Sequence, residues 1–466
     1  MFSLTRLFNC QAKVRTLLKI LYTNCTREKQ SYTDKKATMH AEVNPYDVII
    51  VGGGVFGLST AAQCIRRKKA VLVIDKYNIP SPLSAANDYN KIIRLEYDDR
   101  FYTSLAIEAC DYWNGNGDEL LPKGLLHDVY SHCGRISIVP PKESLRYAFE
   151  KNSLKILQDE FKRCLDVEEF QGDLTCGNKF PQLHNASVSP DQIRFNADCG
   201  IGYAAKSLTK MKEYCVSQGV QFLEQNGVSR IIPGQLVTVE TASGQSYKAN
   251  KVLISCGANS SALLPLQGVI KATGLYVGHI NLTLEECKRY ANIPVVFNPA
   301  VGYFFPPDMD TRTLKICVSA ASTYDRESSG VKPRYRIEEP TIVQAHYDSI
   351  TAKIQRILKD YLPDLLYSQS RLRDIVDLKI CWISDSANSD FVIDRVPGQE
   401  NVYVSCGDSG HAFKFLPNIG RYIWQRMEGN LTKEHQQRWQ WRESVWTKDS
   451  LSWRMEHQRD SLDKLT

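Results

Sequence analysis

The clearest hydrophobic pattern in the chain is a pair of short apolar runs separated by an amphipathic stretch. The first run is residues 48–51 and the second is residues 71–74. Short apolar runs of this kind are typical of buried parallel strands, whereas the apolar residues between them recur at helical spacing. Because parallel strands need a crossover connection, the pattern predicts a strand, a helix and a second parallel strand at the start of the globular part.

The same reasoning predicts the remaining elements. Apolar residues at helical spacing predict helices over 97–113, 143–166, 207–218, 339–358 and 417–426. Apolar and alternating runs predict strands over 133–140, 219–223, 273–283, 301–319, 378–383 and 402–405, with a hairpin across 227–248. Strands and helices alternate through much of the chain, which favours an α/β or α+β fold.

Glycines follow the first predicted strand with the spacing G-x-G-x-x-G. Gly52 permits a tight turn, Gly54 lets the backbone approach a pyrophosphate, and Gly57 lets the helix pack closely on the strand. The N-terminus of that helix offers free N–H groups and a positive dipole end to the phosphates. The motif therefore predicts an adenine dinucleotide, FAD or NAD, and the alternative is a glycine turn without a ligand.

An acidic residue, Asp75, ends the second strand, where a carboxylate accepts hydrogen bonds from ribose hydroxyls. The residues of this unit that we expect to bind the dinucleotide are Gly52, Gly54, Val55, Phe56, Gly57, Asp75 and Lys76.

A second apolar strand, residues 251–255, runs into Gly257 and offers another place where the backbone could meet a dinucleotide. A plain buried strand and turn is the alternative. The elements then divide into a dinucleotide-binding domain over 46–130, 190–265 and 376–430, and a sheet-rich substrate domain over 131–189 and 266–375. Residues 1–45 form an N-terminal extension, and 431–466 form a C-terminal tail whose aromatics, such as Trp439, are expected to cover a surface.

Size and charge narrow the class of protein. A chain of 466 residues usually divides into more than one domain. The net charge is +6, but the basic excess lies in residues 1–38, so the rest of the chain is balanced. Nucleic-acid binding needs a basic surface, so no nucleic-acid partner is expected. No apolar run reaches the about 18 residues that span a bilayer.

The 14 cysteines contain no C-x-x-C pair, so we predict no metal site and expect most of them to be reduced thiols. The basic first segment leaves two interpretations open. No acid precedes Glu28, as in a mitochondrial presequence. The segment could instead be an upstream start or a disordered tail, since Met39 lies close to the first strand.

Three cations stand out for their surroundings. Lys91 and Arg94 flank two isoleucines, and arginine suits bidentate recognition of a carboxylate. A surface salt bridge is the alternative, and the segment alone favours it. Lys315 lies in an otherwise apolar strand, a costly position unless the charge has a use. The alternative is an edge strand with this lysine pointing to water.

Two further segments contain candidate functional residues. Cys381 ends an apolar strand, where a lone cysteine is usually inert. Residues 405–417 are rich in small residues and lead into a helix, so their N–H groups could bind an anionic ring. A plain glycine turn before a helix is the alternative.

These clusters, in this order, resemble the flavin-dependent amine oxidase family of monomeric sarcosine oxidase. The likeness is strongest to its fungal fructosyl amino acid (Amadori) oxidases and to its saccharopine and pipecolate oxidases. It covers roughly residues 46–430 and is carried by 84–88, 91–94, Cys381 with its following tryptophan, and 407–417. The resemblance implies an FAD-binding Rossmann-like domain of discontinuous segments with an inserted mixed β-sheet substrate domain.

The resemblance also implies roles by position. Cys381 matches the cysteine that forms a thioether to the flavin 8α carbon. Arg94 and Lys414 match the pair that binds the substrate carboxylate, and Lys315 matches the lysine on the flavin face where oxygen is reduced.

Lys91 falls where the bacterial enzyme has an arginine near the flavin, and Ala412 replaces a glycine that is common in the family. Further contacts to the flavin are implied for Ser84, Lys91, Gly407, Ser409, Gly410, His411 and Lys414.

The implied function is oxidation of a secondary-amine amino acid, such as saccharopine, pipecolate or a fructosyl amino acid. The C–N bond becomes an imine and O2 becomes H2O2. We expect a monomer with a small-molecule substrate and O2 as its partners. Relatives are peroxisomal or cytoplasmic, although residues 463–466 are not an S-K-L signal. The alternatives are an NAD(P)-dependent dehydrogenase, which leaves Lys315 and Cys381 without a purpose, and a non-catalytic flavin-fold protein.

Overall fold

The computed structural model describes residues 44–82, 84–117, 121–324 and 342–443. The N-terminal extension predicted over 1–45 lies almost entirely outside this part of the chain, as does the end of the predicted C-terminal tail. The described residues from Tyr46 onward form one compact unit.

The described residues form eight α-helices and 21 strands. The helices are α1 (Val55–Arg66), α2 (Arg100–Trp113), α3 (Leu145–Asp159), α4 (Ala204–Ser217), α5 (Leu284–Tyr290), α6 (Ile342–Tyr361), α7 (Ile419–Met427) and α8 (Lys433–Trp439). The strands are β1 (Tyr46–Val51), β2 (Val71–Ile74), β3 (Lys91–Ile93), β4 (Tyr130–Ser131), β5 (Arg135–Ile138), β6 (Glu168–Phe170), β7 (Ile193–Asn196), β8 (Gly200–Gly202), β9 (Gln221–Leu223), β10 (Val228–Ile232), β11 (Val237–Thr241), β12 (Ser246–Ile254), β13 (Ile270–Asn281), β14 (Val295–Asn298), β15 (Gly302–Phe304), β16 (Thr313–Tyr324), β17 (Tyr367–Ser368), β18 (Arg371–Leu372), β19 (Val376–Ser386), β20 (Val392–Arg395) and β21 (Val402–Cys406).

The first large sheet contains the predicted strand–helix–strand unit. Its order is β10-β11-β12-β1-β2-β9, with β21 beside β12 and β20 beside β21. β1 runs parallel to both β2 and β12, with Val51 opposite Ile74 and Ile254. The three strands therefore end at the same edge of the sheet, where the loops of an α/β sheet bind ligands.

The apolar run of β1 is continuous because both faces of the strand are buried. Val48 and Ile50 pack into one hydrophobic cluster, and Ile49 and Val51 pack into another on the opposite face. Burying each such side chain contributes about 1.5–3 kcal/mol. The helix α1 packs closely against α7, where a Cβ on Gly420 would lie 2.0 Å from the Ser59 carbonyl oxygen.

The second large sheet is mixed, with the order β19-β13-β16-β15-β14-β5-β7-β6. Only β14 and β5 are paired in parallel, and the other pairings are antiparallel. A small sheet of order β3-β8-β4 carries Lys91. The predicted mixed α/β architecture is confirmed. Most helices and strands predicted from periodicity are present, but the helix predicted over 143–166 ends at Asp159, and the run predicted over 301–319 forms two strands, β15 and β16.

Two strands fall outside the sheet that our domain boundaries suggested. β7 and β19 belong to the second sheet, although 190–265 and 376–430 were assigned to the dinucleotide-binding domain. β19 pairs with β13 along most of its length, from Ile270 opposite Ser386 to His279 opposite Val376, and this long pairing fixes its sheet. The division into two domains stays a prediction.

One expectation about the C-terminal segment is wrong. We expected Trp439 to cover a surface, but α8 packs on the body and this side chain is fully buried. Its indole Nε1 donates a hydrogen bond of 3.1 Å to the Tyr102 hydroxyl, and its ring lies 5.3 Å from that of Phe101. Trp439 is buried because it packs against aromatic residues that are far away in the sequence. The charge pattern of its own segment therefore could not predict this burial. None of the described helices is long and apolar enough to cross a membrane.

Candidate active site

A cavity of about 600 Å3 is lined by residues from both large sheets. One group of lining residues follows the ends of β1, β2 and β12. A second group lies on β13, β16 and β19 and in the segment 406–413. The cavity therefore joins the glycine motif to the segments that the sequence assigns to a flavin ring.

The glycine motif has the geometry that pyrophosphate binding requires. Gly52 has a φ of +103°, and a Cβ there would lie 2.5 Å from the Ser255 carbonyl oxygen. A Cβ on Gly57 would lie 2.0 Å from the Gly52 carbonyl oxygen. Gly54 differs, because a Cβ there would meet no atom within 4 Å and the residue lines the cavity. The first and third glycines serve packing, and the second faces open space that fits a pyrophosphate.

The acid at the end of β2 also lines the cavity. The Asp75 carboxylate accepts hydrogen bonds from the backbone N–H groups of Gly53 and Tyr77, at 2.8 and 2.9 Å. Burial raises the pKa of Asp75, and these two hydrogen bonds oppose the rise. Each carboxylate oxygen keeps acceptor capacity for a ribose hydroxyl. Lys76 and Ser84, both predicted to contact the cofactor, lie in the same lining.

A second glycine turn meets the cavity after β12. Gly257 has a φ of +54°, and a Cβ there would find no atom within 4 Å. The open space beside Gly257 favours close approach of a dinucleotide over a plain buried turn.

Two substitutions separate cofactor binding from packing. We expect Gly54→Leu to leave the thermal unfolding of the cofactor-free protein unchanged, because a side chain there meets open space. It should lower the dinucleotide content of the purified protein at least tenfold, since the side chain would fill the space where we predict the pyrophosphate. Gly57→Ala, whose Cβ would clash with backbone, should instead lower the unfolding temperature of the cofactor-free protein. Equal loss of stability in both variants would contradict the assignment.

Lys315 is buried within a central strand. β16 pairs with both β13 and β15, and Lys315 is only 1% exposed, so the edge-strand alternative is wrong. Its Nζ lies 2.5 Å from the Asp88 carboxylate and donates a 2.8 Å hydrogen bond to the Asn90 carbonyl oxygen. Because side chains alternate along a strand, Lys315 lies on the same face as Cys317, which lines the cavity.

The Asp88 carboxylate lies within ion-pair distance of three lysine ammonium groups. Besides Lys315, Lys91 lies 2.5 Å from the carboxylate and Lys379 lies 3.4 Å from it. Burial raises the pKa of Asp88, but the three lysines outweigh burial and hold the pKa well below its usual range. Burial lowers the pKa of Lys315, and Asp88 opposes that shift. One carboxylate cannot neutralise three ammonium groups, so the cluster offers positive charge to the cavity that Lys91 lines.

Arg94 and Lys414 meet at one aromatic ring. The guanidinium carbon of Arg94 lies 4.9 Å from the centre of the Tyr97 ring, and the Lys414 Nζ lies 5.1 Å from it. The buried Nη1 of Arg94 has no hydrogen-bond partner among the described residues. Burial, reinforced by Arg94, lowers the pKa of Lys414 well below its usual value. The surface salt bridge considered for Lys91 and Arg94 is not what the structure shows. The half-buried guanidinium of Arg94 converges with the buried Lys414, and its Nη1 has no hydrogen-bond partner among the described residues. Lys91 does form an ion pair, but with the fully buried Asp88.

His411 holds the Tyr97 hydroxyl in place. Its Nε2 lies 2.9 Å from the Ser389 carbonyl oxygen, which can only accept, so Nε2 carries the proton. Its Nδ1 lies 2.9 Å from the Tyr97 hydroxyl and forms a hydrogen bond with it. The hydroxyl also accepts a 2.8 Å hydrogen bond from the Lys414 Nζ. His411 thus orients the tyrosine that contacts both cations.

The 405–417 segment is fixed by the end of β19. The Ser384 Oγ accepts a 2.9 Å hydrogen bond from the Gly407 N–H, and the Ser384 N–H donates to the Asp408 carboxylate at 2.8 Å. The Ser409 N–H donates to the Ser384 carbonyl oxygen at 2.8 Å. Gly407 and Gly410 both have a φ of +70°, a conformation that glycine adopts without strain. The strand that carries the predicted flavin-linking cysteine therefore also shapes this turn.

The cavity brings many of the predicted residues together. Those that line it are Gly52, Gly54, Val55, Phe56, Asp75, Lys76, Ser84, Lys91, Cys381 and Gly410. The predicted residues that do not line it are Gly57, Arg94, Lys315, Gly407, Ser409, His411 and Lys414.

Sequence reasoning missed several residues of the site. Asp88 was part of a family-like stretch but received no role, and Tyr97 only ended the segment that carries Arg94. Lys379 lies two residues before Cys381 on one strand, so strand alternation could have placed the two on one face. Nothing local marked Ser384. Among the described residues no group of three His, Cys, Asp or Glu side chains is placed to hold a metal ion.

This chain is similar in sequence and in structure to several known proteins. A family model described as "FAD dependent oxidoreductase" (DAO) matches residues 47–426. L-saccharopine oxidase of Schizosaccharomyces pombe is 35% identical over 434 residues, covering 87% of this chain and 95% of the relative. Monomeric sarcosine oxidase of a Bacillus species is 25% identical, covering 82% and 91%. The solved structure of fructosyl peptide oxidase from E. terrenum superposes with a TM-score of 0.75 at 25% identity, covering 90% of this chain and 97% of that one.

These matches confirm FAD as the cofactor and an oxygen-dependent amine or amino acid oxidase as the enzyme class, in preference to an NAD(P)-dependent dehydrogenase. The family model spans the strand–helix–strand unit, both large sheets and the segment that ends at α7. By that match and by the 35% identity to one relative over most of its length, the chain belongs to the FAD-dependent oxidoreductase (DAO) family.

Proposed function

We propose that this enzyme oxidises a secondary-amine amino acid whose α-carboxylate binds between Arg94 and Lys414. The observation that carries the proposal is the convergence of Arg94 and the buried Lys414 on Tyr97, together with the buried Nη1 of Arg94, which has no hydrogen-bond partner among the described residues. A buried donor without a partner is costly, and a planar guanidinium matches a carboxylate in a bidentate contact. Binding of the carboxylate orients the amine-bearing carbon, which lowers the entropic barrier of the reaction.

The residues of the cavity fit FAD. The pyrophosphate would lie against Gly54 and the N-terminus of α1, and the ribose against Asp75. The ring would lie between the second sheet and the 406–413 segment, near Cys381 and Gly410. When bound, FAD accepts a hydride equivalent from the amino acid and passes two electrons to O2.

The cluster around Asp88 supports a role in oxygen reduction. The Lys315 ammonium lies in a water-poor site and is held by the Asp88 carboxylate and the Asn90 carbonyl group. A positive charge held in advance stabilises the negative charge that develops when oxygen takes up an electron. Lys91, on the same carboxylate, contributes charge at the cavity wall.

The substrate class follows from the relatives and the site together. The 35% identical relative is a saccharopine oxidase, and two further relatives act on sarcosine and on fructosyl peptides by name. We propose a lysine-derived secondary amine such as saccharopine as the substrate. Pipecolate and fructosyl-lysine are the competing candidates.

A peroxide assay decides among them. Purified enzyme should form H2O2 with saccharopine at a kcat/KM at least tenfold higher than with pipecolate, sarcosine or fructosyl-lysine. A clearly higher kcat/KM for one of the other three compounds would make that compound the proposed substrate in place of saccharopine. No peroxide from any of the four would contradict the site proposal.

Cys381 is the proposed site of covalent flavin attachment. It lies on the cavity wall in β19, and Cys317 on β16 also lines the cavity. We expect the yellow colour of the wild-type protein to remain in the pellet after acid precipitation. Cys381→Ser should release the flavin into the supernatant, whereas Cys317→Ser should retain it in the pellet. The reverse pattern would move the linkage to Cys317, and release from the wild type would refute a covalent bond.

A further inference from the structure

A carboxylate close to Arg94 in the sequence could compete with the substrate carboxylate for binding to this arginine. Glu96 follows it by two residues, and the carboxylate is buried. Two residues along the chain, their Cα atoms lie no more than about 7 Å apart. The Arg94 charge contributes to lowering the pKa of Glu96, so the two groups lie within electrostatic range. A buried carboxylate ordinarily pairs with a cation within its reach.

Glu96 instead pairs with a different arginine. Its Oε1 accepts a 2.9 Å hydrogen bond from Arg135 Nη2 and a 2.9 Å hydrogen bond from the Asn196 side-chain amide. Burial raises the pKa of Glu96, but Arg135 and then Arg94 outweigh burial and lower it to about 2. Glu96 is therefore ionised, and its charge is directed toward Arg135.

Arg135 is itself fixed from several sides. It lies in β5, and β7 brings Asn196 opposite it. Its Nη2 is 3.8 Å from the Glu150 carboxylate, and its guanidinium carbon is 5.6 Å from the centre of the Phe297 ring. Glu150 also pairs with Arg146, so its charge is shared between two arginines. The Arg135 side chain is almost fully buried and has little freedom to release Glu96.

The remaining charged groups near Arg94 do not compete for it. Lys414 and Arg146 are cations, and Asp98 is exposed, where water screens its charge. Glu150 is also buried, but it is already paired with Arg146. Among the described residues, Glu96 is therefore the buried carboxylate that could occupy Arg94 in place of a substrate.

We propose that Arg135 is a positioning residue that holds the Glu96 carboxylate away from Arg94 and so keeps the substrate-carboxylate site open. Without Arg135, the ionised Glu96 would have Arg94 as its nearest strong partner. The pair formed would be intramolecular and would compete with the α-carboxylate of every substrate. This inference rests on the proposed role of Arg94 as a carboxylate-binding residue.

A set of four variants tests the competition. Arg135→Gln removes the partner and should raise the KM for the best substrate at least tenfold, with kcat within about threefold of wild type. Arg135→Lys keeps a cation for Glu96 and should recover most of the lost affinity. Glu96→Gln alone, which removes the competitor, should leave KM at or below the wild-type value.

The decisive variant is the double substitution Arg135→Gln with Glu96→Gln. If Glu96 blocks the site in Arg135→Gln, removing its charge should return KM to within about threefold of wild type. If Arg135 serves only packing, the double variant should be at least as impaired as the single one, and the inference fails. Titration of each variant with the non-oxidisable dicarboxylate glutarate, followed by calorimetry, should show the same order of dissociation constants. That titration separates binding from damage to catalysis, and melting temperatures identify a variant that fails to fold.

The inference and the proposed function fail in different ways. If Arg94→Met leaves KM unchanged, the carboxylate-binding role of Arg94 is refuted and the proposed function falls with it. If Arg94→Met raises KM but Arg135→Gln does not, the proposed function stands and the inference is wrong.

Discussion

Replacing Lys315 by methionine is expected to slow the reaction of the reduced enzyme with O2 by about 10²–10³-fold, the loss typical of removing one preorganised charge. The physical reason is that, in the proposed function, oxygen reduction creates negative charge near Lys315, which lies fully buried beside Asp88. Anaerobic reduction of the flavin by substrate should change by less than about fivefold, because we propose that the substrate binds at Arg94 and Lys414 instead. Stopped-flow absorbance of the flavin measures the two half-reactions separately.

A matched control is available on the same carboxylate. Lys379 lies 3.4 Å from Asp88, and its side chain is 15% exposed, so Lys379→Met removes a charge that water already screens in part. We expect it to slow the oxygen reaction less than tenfold. An unchanged oxygen rate in Lys315→Met, or equal losses in both variants, would refute the role of Lys315.

The protonation of Lys315 predicts the direction in which the rate of the oxygen reaction changes with pH. Burial lowers the pKa of Lys315 below its ordinary value, with Asp88 opposing the shift. The group is charged below that lowered pKa and loses its charge as the pH rises through it. The oxygen reaction of the wild type should therefore decline on the alkaline side, and the decline should be absent in Lys315→Met.

Replacing Arg94 by methionine is expected to lower kcat/KM for the amino acid substrate by about 10²–10³-fold. Truncating one partner of a buried charge pair typically costs about 2–5 kcal/mol, and each 1.4 kcal/mol corresponds to about tenfold. The loss should appear mainly in KM, since the contact exists in the ground state as well. Steady-state peroxide formation measures it.

Arg100→Met serves as the control for the loss of an arginine. Arg100 forms an exposed ion pair with Glu160, its side chain being 74% exposed, and exposed pairs contribute little. This variant should stay within about twofold of wild type. A fall of less than about threefold in kcat/KM for Arg94→Met would show that the substrate carboxylate binds elsewhere.

Local patterns were sufficient for the dinucleotide half of the site. The strand–helix–strand unit follows from the apolar runs, and the turn follows from the sterics of Gly52 and Gly57, whose added Cβ atoms would meet backbone oxygens. Asp75 could be assigned because it ends the neighbouring strand of the same unit. All of these interactions lie within one short stretch of chain, so periodicity and turn chemistry encode them.

The arrangement of the residues proposed to bind the substrate and to reduce oxygen could not be predicted from local patterns. Sequence similarity pointed to Arg94, Lys315 and Lys414, but composition and periodicity left each with a plain structural alternative. Lys414 contacts Tyr97 from 317 positions away, and Lys315 contacts the Asn90 carbonyl oxygen from 225 positions away. Contacts of such separation depend on strand order and register, which a single sequence does not specify.

By itself, then, the sequence determined the type of cofactor-binding unit and the residue types available for chemistry. Those properties depend on local sterics and on the spacing of apolar residues. The tertiary structure decided the pairing of charges: Asp88 with three lysines and Glu96 with Arg135, while Nη1 of Arg94 has no hydrogen-bond partner within the described part of the chain. Charge pairing depends on which strands become neighbours, and that is settled when the two sheets pack together.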